Sequence, residues 1–122
     1  MRILFSLLIV FFSFGFSPSS SKMNDDNSSE PGSLYMDTNL EVSNFFPNPA
    51  IDYVKLDFKI KTTKEVNVVL FNVLGNPVKK YTLDRFSQSA TYFIGDINSG
   101  TYFYQLSVEG SPLATKKLVI RN

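Results

Sequence analysis

The 122-residue chain contains no cysteine and no histidine. Without cysteine it has no disulfide, no cysteine-ligated zinc, no thiol nucleophile and no attachment point for the lipid of a bacterial lipoprotein. Export without disulfides points to a bacterial envelope more than to a eukaryotic secretory route. Without histidine it lacks the commonest metal ligand and the commonest general base near neutral pH. No cofactor or metal site is therefore expected, and the chain does not read as an enzyme. No stretch combines a helical apolar stripe with caps, and no long basic run marks a nucleic-acid surface. Nothing in the pattern suggests a small-molecule substrate.

One apolar run stands at the N-terminus. Arg2 supplies a positive charge and Ile3 to Phe16 follow, interrupted only by Ser6, Ser13 and Gly15. A transmembrane helix needs roughly 20 apolar residues, and this run gives way early to Ser17, Pro18 and three more serines. Residues 1–21 therefore read as a signal peptide, with an uncleaved anchor as the rival. The run holds five of the twelve Phe residues, so the remainder is less aromatic than the whole-chain average.

Residues 22–41 are polar and acidic, with Lys22 against Asp25, Asp26, Glu30, Asp37 and Glu41, a net charge of minus four. Their few apolar residues show no sustained period, which predicts a flexible acidic linker. Residues 42–122 carry ten Lys or Arg against six Asp or Glu, a net charge of plus four. The near-neutral total thus hides an acidic arm on a mildly basic domain.

That domain reads as strands separated by turn residues. Val54, Leu56, Phe58 and Ile60 alternate with Lys55, Asp57, Lys59 and Lys61, the period of a sheet with one wet face. Val66 to Val73 is apolar at most positions and predicts a central strand. Leu74, Gly75, Asn76 and Pro77 make a turn, and Val78 to Leu83 suits an edge. Thr91 to Ile94 is a short strand after a polar loop. Asn98, Ser99 and Gly100 turn the chain again. Tyr102, Tyr104, Leu106 and Val108 then share one face, with Phe103 on the other. Glu109, Gly110, Ser111 and Pro112 close a hairpin, and the last strand runs from Leu113 to Arg121. Six to seven short strands in this length predict an all-β, Ig-like fold, a small antiparallel β-sandwich.

Two segments go beyond generic strand patterning. In "NFFPNPAIDYVKL", Pro47, Asn48 and Pro49 separate a short strand from the first long one, and the two prolines force a turn. Further on, Gly100-Thr101-Tyr102 precede the hairpin and "ATKKLVIR". In this order, and over residues 42–122, these elements and "VLFNVLGNPV" resemble the C-terminal sorting domain of type A cargo of the type IX secretion system of Bacteroidota. Two departures are small: Asn98-Ser99 precede Gly100 in place of a Leu and a small residue, and Arg121 replaces a Lys. The larger departure is that no passenger domain is evident.

The resemblance implies a non-catalytic tag. The general secretory pathway would carry the chain to the periplasm, and the type IX machinery would carry it to the outer membrane surface or the medium. A sortase-like surface protease would act on it there. Recognition is expected at Gly100, Tyr102, Lys116, Lys117 and Arg121, with Pro47, Asn48, Pro49, Gly75 and Gly110 shaping the domain. Each recognition residue also has a structural reading: Gly100 in a turn, Tyr102 in the core, and the basic residues guarding an edge strand against aggregation. An envelope or cell-surface signalling ligand built on the same sandwich is the competing function.

Overall fold

The computed structural model describes residues 32–122. The expected signal peptide at 1–21, and residues 22–31 of the expected linker, lie outside the described residues. Eight strands follow in chain order: β1 (Ser33–Met36), β2 (Leu40–Ser43), β3 (Tyr53–Ile60), β4 (Val66–Asn72), β5 (Pro77–Thr82), β6 (Ser89–Phe93), β7 (Gly100–Val108) and β8 (Ser111–Ile120). They form two antiparallel four-stranded sheets, β1-β2-β3-β6 and β5-β4-β7-β8. The fold is the expected all-β sandwich, with eight strands rather than six to seven.

Period-two alternation sets which face each strand buries. Val54, Leu56 and Phe58 of β3 point inward together with Leu40 and Val42 of β2. Val66, Val68 and Leu70 of β4 face them alongside Tyr102, Tyr104 and Leu106 of β7 and Leu118 and Ile120 of β8. The intervening Lys55, Lys59, Phe103 and Lys117 are solvated. β4 is central between β5 and β7, which accounts for its nearly continuous apolar sequence.

Two strands depart from the expected linker. β1 and the start of β2 lie within residues 22–41, and the sandwich begins at Ser33. Four-residue strands are too short for their period to show, but their side chains are not idle. Leu34 and Tyr35 pack against the core, and Leu40 and Val42 are within it. The reversal between them is made by the Asp37 carboxylate, which accepts the N–H groups of Asn39 at 2.7 Å and Leu40 at 2.8 Å. β6 also begins two residues before the expected Thr91, because Leu56 pairs with Ala90 and Asp57 with Ser89.

The sheets meet along the β5 and β6 edges, where Tyr81 of β5 stacks on Tyr92 of β6, ring centroids 3.8 Å apart. Beside them Lys79 Nζ donates to Asp96 Oδ1 at 2.8 Å and to the Phe93 carbonyl at 3.3 Å. The Lys79 hydrogen bond holds the Asp96 carboxyl below its usual range. The Tyr81 hydroxyl is buried and has no hydrogen-bond partner among the described residues. Burial, reinforced by the negative charge of Asp96, pushes it up to about 12.

Because the folded protein holds the Tyr81 proton more tightly than an unfolded chain, this contribution to stability is complete below pH 10 and is lost as pH rises toward 12. Tyr81→Phe should flatten that alkaline decline. At neutral pH it should leave stability unchanged or raise it by up to about 1 kcal/mol, since the hydroxyl it removes is buried unpaired. Urea unfolding of both proteins across this pH range measures the two effects, and a steeper alkaline loss in the variant would refute the assignment.

Candidate functional site: the C-terminal strand and its clamp

Among the described strands β8 lies at a sheet edge, paired with β7 alone. Such an edge exposes a row of backbone N–H and C=O groups that invites pairing with other chains. Here the segment around Pro47, Asn48 and Pro49 covers its last third. The Asn48 side chain donates Nδ2 to the Lys117 carbonyl at 2.9 Å, and its Oδ1 accepts the Val119 N–H at 3.0 Å. One carboxamide thus supplies the donor and acceptor that a neighbouring strand's peptide would supply. The backbone takes over two residues later: Ala50 N–H donates to the Val119 carbonyl and Arg121 N–H to the Ala50 carbonyl, both at 2.8 Å. Ala50 and Ile120 form a parallel bridge.

Pro47 and Pro49 have no N–H and cannot donate to a ladder, and the residue between them reaches β8 through its carboxamide. Both prolines follow cis peptide bonds. The segment is fixed from inside by Phe45, which is 2 % exposed and stacks on Tyr104 at 4.3 Å. The Phe45 N–H donates to the Tyr104 hydroxyl at 3.2 Å.

The start of β8 is set by a two-residue loop. Glu109 at φ +47° and Gly110 at φ +82° connect Val108 to Ser111, the geometry whose twist matches that of a hairpin. Pro112 lies just inside β8, next to a bulge at Leu113. The far end is held by Asn122, whose Nδ2 lies 2.6 Å from the Ile97 carbonyl, 3.3 Å from Ile94 and 3.4 Å from Gly95. Ser99 Oγ donates to Asn122 Oδ1 and to its backbone oxygen, each at 2.8 Å.

Residues 44–121 match the family of secretion system C-terminal sorting domains. The chain belongs to this family. The match supports a type IX secretion-sorting role and covers β3 to β8, whereas the β1–β2 hairpin precedes it. No curated protein and no solved structure matches the chain.

The residues expected to mediate recognition occupy different positions in this sorting domain. Gly100 opens β7, is exposed and pairs with Ile120. Tyr102 is 9 % exposed, and its hydroxyl donates to the Asn98 carbonyl at 2.6 Å, tying the Asn98-Ser99-Gly100 turn to the core. Lys116 and Lys117 are both exposed but fall on opposite faces of β8: Lys116 pairs with the inward Tyr104 and Lys117 with the outward Phe103. Arg121, just past β8, is exposed on the parity of Lys117. Gly75 adopts φ +82° in the β4–β5 turn, a conformation that a side chain would strain. Asn122 and Ser99 were not apparent from the sequence, because a lone polar pair 23 residues apart carries no periodic signal.

Asn48→Ala removes both bonds to β8 and leaves the Lys117 carbonyl and Val119 N–H without a protein partner. It should cost about 1–2 kcal/mol in unfolding free energy. It should also raise amide exchange at Val119 while leaving Leu70 and Leu106 protected. Equal exchange at Val119 in both proteins would show that Asn48 does not close the edge.

Proposed function

We propose that this chain is a non-catalytic address domain, read by the type IX secretion machinery through its folded C-terminal strand. The family match over residues 44–121 carries the reading. The clamped end of β8 supports it, because a receptor gains affinity from a surface already fixed in one geometry. Residues 1–21 act as the signal peptide for the general secretory pathway, and residues 22–31 lead from it to the sandwich. The domain then passes from the periplasm to the outer membrane surface or the medium, where a sortase-like protease acts on it.

In this reading Lys117 and Arg121 present positive charge along one side of the terminal strand, and Lys116 presents it at the opposite face of the same edge. Gly100 keeps the adjoining turn free of a side chain. Tyr102 supports recognition indirectly, by holding that turn through the Asn98 carbonyl. Exposed charges of this kind steer encounter and select partners more than they add affinity.

The test is delivery of an exported reporter fused ahead of residues 32–122 in a type IX-competent host. The reporter should reach the surface or medium. Replacing Lys116, Lys117 and Arg121 together by Glu should lower delivery roughly tenfold without lowering the unfolding midpoint, as expected for rim charges that guide docking. A reporter held in the periplasm by the unaltered tag would refute the sorting role.

A further inference from the structure

The two ends of the sandwich differ in chemistry. One end gathers the β1–β2 turn, the β3–β4 loop, the β5–β6 loop and the Glu109-Gly110 hairpin loop. They are joined there by bonds from Lys61 N–H to the Asn39 carbonyl and from Glu109 N–H to the Glu65 carbonyl. Its side chains are mainly charged, including Lys61, Lys64, Asp84, Arg85 and Glu109, and its large exposed apolar side chains are Phe86 and, at the end of β1, Met36. The other end gathers the β4–β5 turn, the residues before β3, the β6–β7 loop and the end of β8. Ile94 N–H donates to the Asp52 carbonyl there, and Asn72 pairs with Tyr102.

At this second end Ile51, Tyr53, Val73, Leu74 and Phe93 are all at least half exposed, with Leu74 at 81 %. Tyr53 and Phe93 lie against each other at 5.3 Å, and Leu74 stands at the tip of the β4–β5 turn.

That tip is rigidly built. Asn72 Oδ1 accepts the N–H groups of both Leu74 and Asn76 at 3.0 Å. The Asn72 carbonyl accepts Gly75 N–H, and Asn72 N–H donates to the Asn76 carbonyl, each at 3.0 Å. Four hydrogen bonds to one asparagine hold two solvent-facing aliphatic side chains in a fixed place. Exposed apolar side chains on a mobile loop would be ordinary; on a pinned turn they are displayed.

We infer that the Val73-Leu74 turn is a docking knob for a protein partner that offers an apolar pocket. Charge favours a protein over a lipid surface. Lys79 is committed to Asp96, and the exposed Asp52 between Ile51 and Tyr53 is set against Arg121, so the charges here do not sum to a positive patch. Anionic headgroups attract clusters of basic side chains, which these residues do not form. The inference rests on the sorting role for its biological setting and names a part of the domain, and a partner chemistry, that the β8 reading does not include.

Two variants of the reporter fusion test it: Val73→Ser with Leu74→Ser at the turn, and Phe86→Ser at the opposite end. The turn variant should reduce delivery about tenfold, as for loss of one buried aliphatic anchor. Phe86→Ser should deliver like the unaltered tag, and both variants should keep its unfolding midpoint. Normal delivery by the turn variant would overturn the inference while leaving the sorting role intact, and so would an equal loss in both variants. Failure of the unaltered tag would overturn the sorting role itself. The same domain is also mixed with phosphatidylglycerol vesicles: flotation that the turn substitutions abolish would reassign the knob to a bilayer, and no flotation upholds the protein partner.

Discussion

Two hydrogen bonds from the Asn48 carboxamide to Lys117 and Val119 decide what the C-terminal strand can be. An edge strand with free backbone groups is a pairing site for any extended chain. Closing the stretch from Lys117 to Arg121 restricts access to that edge and fixes the strand in space. The fixed strand in turn orders its surroundings. Ile120 holds the bridge to Ala50, Gly100 sits opposite Ile120, and Asn122 lies among the carbonyls of the β6–β7 loop. The proline-flanked asparagine near the start of the domain and the basic residues near its end are one structural unit, although 69 residues separate Asn48 from Lys117.

Much of this fold can be read in the sequence because period-two alternation is strong wherever a strand is long. The inward residues of β3 and β7 stand out for that reason, and so does the central position of β4. The Glu109-Gly110 loop is legible from turn chemistry. β1 is not, since its four residues SLYM contain no full alternation and its neighbours are acidic and polar. Its strand character comes from pairing with β2, a tertiary effect that local pattern does not carry.

The candidate site divides along the same line. Exposure of Lys116, Lys117 and Arg121 follows from charge, but their separation onto two faces depends on register. Tyr102 shows the limit of motif reasoning: it belongs to a recognisable Gly-Thr-Tyr sequence, yet its ring is inside and only its hydroxyl reaches the turn. Asn48 offers the opposite lesson. Proline on either side predicts a turn, and the structure adds that the residue between them substitutes for a strand.

The β1–β2 hairpin lies ahead of the residues that define the family, yet Leu40 and Val42 belong to the buried core. The graftable unit and the sequence family are therefore not coextensive. A tag cut at Asn44 would carry the whole motif but leave β3 with a bare edge and the core without two of its aliphatic side chains. Modular transfer of this domain onto another protein should be drawn along the hydrophobic boundary, at or before Gly32.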